Sequence, residues 1–334
     1  MPKKEKVAIS GSAAFDVIAF TEETIDNIFI NAINGKAGDA RISISFLVSK
    51  KVSFGGTALN IAYNMKLTKG NPLPISCVGR DFISRNYKKH LENLGIDLSG
   101  LVVNGEEDTA EAYIVTGKKG GQISIFHTGA LHDTCNIRIG EIIKKKKVEM
   151  GIISPNPINT MLRHSHEFKE LNIPFIADPG QMINTFKPEE LYEFISRASM
   201  LIVNDYEAML VENKLQKKLK DLIDATIITR GEHGCSAYID DDYAHIPAIK
   251  VPKLADPTGA GDAFRGGLLS GLSKINPNLE DLTLQELKTA CQMGAVCGGY
   301  AVEQEGTQKH VFSIEEFKAR YEKNYGKIDE QHLY

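Results

Sequence analysis

Six short apolar runs recur along the chain: VAISGS, LPISCVG, VEMGIIS, IPFIADPG, SMLIVND and ATIITRG, each closed by Gly, Pro, Asn or Asp. Runs of that length and closure predict buried strands. Helical patterns fill the intervals. TALNIAYNMKL puts Ala58, Ile61, Ala62 and Met65 on one face, and SRNYKKHLENLG, INTMLRHSHEFKELN and PEELYEFISRA follow. Strand–helix alternation implies a parallel sheet, because each parallel return needs a crossover long enough to hold a helix. The predicted fold class is α/β, with a mostly parallel central sheet covered by helices on both faces. Two regions break the alternation. Residues 17–50 hold VIAF and ISISFLVS, and residues 108–128 hold TAEAYIVTG and QISIFHT around KKGG, the spacing of a hairpin. They predict a small inserted β-sheet, a lid, leaving 1–16, 51–107 and 129–334 as the core domain.

Composition removes several classes of partner. Of 334 residues 42% are apolar and 25% charged, and the net charge is −4, so no basic field exists for nucleic acid or an anionic membrane. The run Lys144–Lys147 reads as a solvated helix end. Cys77, Cys135, Cys235, Cys291 and Cys297 are scattered and form no CxxC pair, which fits neither a disulfide framework nor a zinc site. The apolar stretch near the N-terminus breaks at Gly11 and Ser12, too early for a signal peptide, and no run of 18 apolar residues occurs. The expectation is a cytoplasmic protein.

The segment DPTGAGDAF, residues 256–264, carries the strongest chemical signal. Asp256-Pro257 favours a turn, Gly259 and Gly261 permit unusual backbone angles, and a helix then begins. The N–H groups of Gly259, Ala260 and Gly261 would stand free at a positive helix end, a ready site for phosphate. Asp262 beside them supplies a proton acceptor next to an oxyanion cradle, an arrangement suited to phosphorylating a hydroxyl. A glycine turn with an acid in the first helical turn explains the same residues without chemistry. GxGxxG fails, because the fourth position is acidic and the sixth is Phe264, and no GxxxxGK[ST] is present.

DPTGAGDAF resembles the C-terminal signature of the ribokinase or PfkB family of carbohydrate and nucleoside kinases, and FGGTALNIA, residues 54–62, resembles its N-terminal signature. The resemblance covers nearly the whole chain. It implies a ribokinase-like fold, with Asp262 as catalytic base and the 259–261 amides as anion hole. It places Gly55, Gly56, Asn60, Asp16 and Ser12 on the acceptor's hydroxyls, Ser12 standing where asparagine is frequent. Asn204 and Glu207 form a capping box by themselves. The family's NxxE motif adds a role for Glu207 toward Mg²⁺, through water. Thr229, Gly231 and Gly234 would lie along ATP as co-substrate, although a strand ending in a hairpin turn reads the same way. K⁺ is a candidate further cation and a homodimer a candidate assembly; the partners are otherwise small molecules.

SGSAAFD, QISIFHTGA, DPGQ and VNDYEAML resemble the bacterial adenosine kinase branch. That implies transfer from ATP to the adenosine 5′-hydroxyl, with the alternating strand QISIFH offering Gln122 and Phe126 to a purine. Phe126 reads equally as lid core. A sugar or sugar-phosphate kinase is the alternative, and a non-catalytic metabolite-binding protein a more distant one. His164 and His166 stand at i,i+2 of a predicted helix and point apart, a poor metal pair. Arg265 could reach a phosphate or pair with a surface acid. Asp178, in ADPG, could be only a turn residue.

Overall fold

The computed structural model describes residues 5–28, 36–37, 40–41, 45–119 and 121–334. Its strands are β1 (Lys6–Ser10), β2 (Ala14–Thr21), β3 (Lys36–Ala37), β4 (Ala40–Arg41), β5 (Leu47–Gly55), β6 (Pro72–Val78), β7 (Leu101–Val103) and β8 (Ala110–Gly117). Then come β9 (Gln122–His127), β10 (Val148–Ile153), β11 (Phe175–Ala177), β12 (Met200–Asn204), β13 (Ala225–Thr229), β14 (Cys235–Ile239) and β15 (Asp242–Ile246). The large sheet has the order β15-β14-β13-β12-β11-β10-β1-β6-β7. It is parallel from β7 to β13. β14 and β15 add an antiparallel edge.

Alternation along β1 shows why both faces are covered. Val7 and Ile9 enter one core with Met150, Ile152, Ile176, Met200, Ile202 and Ile227. Ala8 enters the other, with Ile153, Ala177, Leu201 and Val203. The first core is roofed by α1 (Thr57–Leu67), α2 (Tyr87–Asn93), α6 (Ala260–Ile275) and α7 (Leu284–Ala301), the second by α3 (Ile158–Glu170), α4 (Pro188–Ser196) and α5 (Asp205–Leu215). Each fully buried Leu, Ile or Phe contributes about 1.5–3 kcal/mol, so both cores are deep reservoirs of stability. The single apolar stripe read for α1 understates its burial: every residue from Ala58 to Met65 is buried, because α6 covers the side away from the sheet. A last helix, α8 (Ile314–Tyr325), packs on α7 through Phe317 and Tyr321.

A smaller sheet has the order β5-β2-β8-β9. β8 and β9 form the antiparallel hairpin, closed by Gly117 N–H donating to Gly121 O at 2.8 Å. β2 and β5 pair along their whole length from Ala14↔Gly55, so residues 14–16 and 51–55, grouped with the core in the sequence, take part in this sheet. Among the described residues no helix is long and apolar enough to cross a membrane.

Strands of the parallel sheet end together on one edge. Ser12 follows β1, Asp178 follows β11, Asn204 closes β12 and Thr229 closes β13. Ligands of open α/β sheets bind along that edge.

His164 on α3 is fully buried, its Nδ1 2.8 Å from Ser10 Oγ and its Nε2 3.2 Å from Ile137 O, whereas His166 is exposed. Burial pushes the His164 pKa down to about 4 from 6.5. The unfolded chain therefore binds a proton that the folded one refuses, and stability is lost as pH falls from 6.5 towards 4. At pH 5 this single group should destabilise the fold by about 2 kcal/mol relative to pH 7. His164→Gln should flatten the dependence of Tm on pH between 7 and 5; an unchanged slope would remove His164 as its source.

Candidate active site

The start of α6 is shaped by its preceding turn. Asp256 Oδ1 accepts from Thr258 N–H at 2.9 Å and its Oδ2 accepts from Gly306 N–H at 3.1 Å. Gly259 follows with φ +80°, where a Cβ would also meet Thr307 Cγ2 at 2.7 Å, so only glycine fits. Ala260 N–H donates to Pro257 O across a long 3.3 Å. Among the described residues no protein acceptor takes the N–H groups of Gly259, Gly261 or Asp262. Free donors at a helix start attract an anion, and here they centre on 259, 261 and 262, with Ala260 engaged in the turn.

Asp262 is held from across the α1–α6 seam. Asn60 Nδ2 donates to Asp262 Oδ2 at 2.8 Å. The other end of the Asn60 amide accepts from Gln308 Nε2 at 2.8 Å, and Gln308 also donates to the Tyr87 hydroxyl at 2.5 Å. The Tyr87 hydroxyl in turn donates to Gly55 O at 2.8 Å. Burial pushes the Asp262 pKa up to about 6; the Asn60 hydrogen bond and the Arg265 charge restrain it. Gln308 and Tyr87 carry no motif, and nothing in their sequence neighbourhood marks them.

Asp16, 8% exposed, projects from β2, and its pKa is raised to about 7 by burial, then by Asp262 and Asp256. Gly55 lies directly against it: a Cβ at 55 would fall 2.3 Å from Asp16 Oδ2. Gly56, with φ +88°, turns the chain from β5 into α1. Ser12, just past β1, meets the start of α1. Its Oγ accepts from Thr57 N–H at 3.0 Å and lies 3.1 Å from Thr57 Oγ1, so the hydroxyl caps α1.

Directly opposed residues in a sheet share a face. Asp16 opposes Ser53 and Ala112, and Ala112 opposes Phe126; Ile18 opposes Lys51 and Ile114. Phe126 therefore stands on the Asp16 face, and at 49% exposed it is not core of that sheet. Gln122 opposes Thr116 in the same register, and its side chain lies outside the described residues. Between this face and the 255–258 turn is a cleft of about 570 Å³, lined by Ile18, Phe20, Ser53, Ile114, Thr116 and Thr258. Its volume suits a small organic ligand.

On the other side of the α6 start, Asn204 and Glu207 make the full capping box: Glu207 Oε2 accepts from Asn204 N–H and Asn204 Oδ1 accepts from Glu207 N–H, both at 2.8 Å. Burial and then Asp178 raise the Glu207 pKa. Among the described residues, Thr229 Oγ1 reaches Val203 O alone, at 3.5 Å. Gly231 has φ +52° and open space where a Cβ would be, while a Cβ on Gly234 would strike Ile246 O at 2.0 Å, so Gly234 serves the β13–β14 turn. Arg265 pairs with a buried acid and not a surface one: Nε and Nη2 donate to the two Asp178 oxygens, each at 2.6 Å. Asp178 is thus an anchor as well as a turn residue.

Free N–H groups at a helix start, an acid held beside them and a second acid on the small-sheet face form an arrangement suited to group transfer on an α/β scaffold. The profile of the pfkB family carbohydrate kinases matches residues 4–312, and the chain belongs to this family. It is a phosphotransferase with an alcohol acceptor on a ribokinase-like fold. The chain is similar to the nucleoside kinase of Methanocaldococcus jannaschii, 30% identical over 96% of this chain and 98% of the relative. Burkholderia thailandensis nucleoside kinase in complex with inosine superposes with a TM-score of 0.81 at 31% identity, covering 96% of this chain and 98% of the other. The cytidine kinase of Thermococcus kodakarensis is 27% identical over 74% of this chain and 90% of its own length.

Gly55→Ala should push the Asp16 carboxylate aside without altering the α6 start. The expected result is a rise of about tenfold or more in KM for the alcohol substrate, about 1.4 kcal/mol, with KM for the phosphoryl donor nearly unchanged. Steady-state kinetics with each substrate varied in turn decides it; equal KM values in variant and wild type would separate Asp16 from acceptor binding.

Proposed function

We propose that the chain is a nucleoside kinase that transfers the γ-phosphoryl group of ATP to the 5′-hydroxyl of adenosine, giving AMP and ADP. The observation that carries this reading is Asp262, fixed through Oδ2 by Asn60 beside the free N–H groups of the α6 start. Its other oxygen is left for a substrate hydroxyl. Asp262 takes the hydroxyl proton as the oxygen attacks the γ-phosphorus, and the bond to the ADP oxygen breaks. The N–H groups of Gly259, Gly261 and Asp262 bear the charge that moves through the phosphoryl oxygens. Asp16 accepts hydrogen bonds from the ribose hydroxyls, and Asn60 sets the distance between acceptor and base.

The ATP phosphates extend from the cradle towards Asn204, Glu207 and the open Gly231 turn. Mg²⁺ fits this arrangement in one form. No group of three or more His, Cys, Asp or Glu suited to a metal exists among the described residues, and Asp178 is engaged by Arg265. A hydrated ion held chiefly by phosphates, with Glu207 touching its water, matches the way Mg²⁺ is usually bound. When bound, it neutralises phosphate charge. The purine lies in the cleft under the small sheet, with Phe126 exposed on its face.

A wider nucleoside range is the second reading, favoured by the inosine complex of the Burkholderia enzyme. Assaying wild type against a panel of nucleosides and sugars separates the readings; turnover confined to sugars would overturn both. Asp262→Asn should lower kcat by roughly 10²–10⁴-fold, the value of a positioned base. In the wild type, kcat/KM should fall on the acid side through the coupled pair, between pH 7 and 6, because the base must be ionised and the two acids titrate at about 7 and 6. A flat profile from pH 8 to 5 would exclude the pair. Phe126→Ala should weaken adenosine binding by about 1–3 kcal/mol, the usual worth of a base–aromatic stack, and leave ATP affinity unchanged. Calorimetric titration of each ligand measures this, and equal adenosine affinity would take Phe126 out of the site.

A further inference from the structure

The first turn of α6 has a weakness that its function cannot tolerate. Its N-cap, Gly259, and its second residue, Gly261, are glycine, the residue with the greatest backbone freedom, and the helix start is where fraying begins. Yet a phosphoryl cradle works by holding its donors still before charge arrives. Something must immobilise this turn.

Arg265, one turn further along α6, has the reach to do so. Its Nη1 donates to Gly261 O at 3.1 Å. Its remaining fork is locked by Asp178, with Nε to Oδ2 and Nη2 to Oδ1 both at 2.6 Å. Both residues are buried, Arg265 8% and Asp178 2% exposed. Two parallel bonds between planar groups fix the guanidinium plane and not only its position. Asp178 belongs to the end of β11 in the middle of the large sheet, so the reference is rigid. Stability alone does not account for such a pair, since apolar replacements of buried ion pairs are often neutral or favourable.

We propose that Arg265 and Asp178 are positioning residues for phosphoryl transfer: Asp178 orients the guanidinium, and the guanidinium pins the Gly261–Asp262 peptide so that its N–H faces the transferred group. In a planar trans peptide the C=O and the following N–H point in opposite directions. Holding Gly261 C=O back along the helix therefore aims Asp262 N–H out of its N-terminus, into the cradle. The same grip settles where the Asp262 Cα, and so the carboxylate, begins. The inference rests on the reading of the 259–262 amides as the phosphoryl cradle.

Arg265→Lys tests it, because lysine keeps the charge but offers a single point donor that cannot hold Asp178 and Gly261 O together. The expected result is a fall in kcat of about 10–10²-fold, up to the loss seen on removing one oxyanion donor, with KM for adenosine and Tm close to wild type. A kcat within about twofold of wild type in folded Arg265→Lys overturns the proposal, as does a loss confined to KM or to Tm. If Arg265→Lys does not fold, Asp178→Asn is measured and judged by the same outcomes. Asp262→Asn is assayed alongside. If it is inactive while Arg265→Lys is fully active, only the positioning role fails; if it is active, the reading of this helix start as the transfer site, with Asp262 its base, fails and takes the positioning role with it.

Discussion

The hydrogen bond from Asn60 to Asp262 joins two helices whose residues lie 202 positions apart, and the site is organised around it. Close backbone contact brings the two helices within its reach. A Cβ on Gly266 of α6 would fall 2.7 Å from Ile61 O and 2.5 Å from Asn64 Cβ on α1, so the two helices touch through a glycine and cannot draw closer. Gln308 removes the remaining ambiguity. By donating to Asn60 Oδ1 it obliges the amide to present its NH₂ end to the carboxylate, which is the orientation that a base needs.

Around that bond the electrostatics follow from burial. Burial raises the cost of ionising both Asp16 and Asp262, and the charge of Asp262 raises it further for Asp16. What keeps them usable is a ring of neutral donors and one buried cation. Asn60 and Arg265 favour the charged form of Asp262, while Asp178 keeps Arg265 from collapsing onto the base as a simple ion pair. The Arg265 charge is itself favoured by Asp178 against the cost of burial. Tyr87, through Gly55, ties the β5 end to the same network, so Asp16 on the small-sheet face and Asp262 share one frame.

Much of the scaffold was legible because it is local. Strand length, closing residues and helical periodicity announced the α/β core, and the Asn204–Glu207 capping box could be read from a spacing of three. The glycine-rich start of α6 likewise carries its own chemistry in consecutive residues. Gln308, Tyr87 and the Asp178–Arg265 pair were not legible, since each acquires meaning only when elements 87 to 248 residues apart meet. Ser12 has a contact that no spacing displays: its hydroxyl accepts from Thr57 N–H at 3.0 Å, 45 residues away, and caps α1. The antiparallel edge β14–β15 begins where a turn at 230–234 reverses the chain, in line with the hairpin reading of 227–234.

The small sheet and the α1–α6 seam divide the labour in a way that bears on how such a protein can change. Ile18, Ile114 and Phe126 stand on a sheet face, and none of their side chains enters the hydrogen-bond network that holds Asp262. Exchanging them alters the shape and polarity of that face, while the Asn60–Asp262 and Gln308–Asn60 hydrogen bonds lose no member. The chain therefore behaves as an interchangeable reading head on a fixed tool. A library confined to Ile18, Ile114 and Phe126 can reshape that face without touching the frame around Asp262.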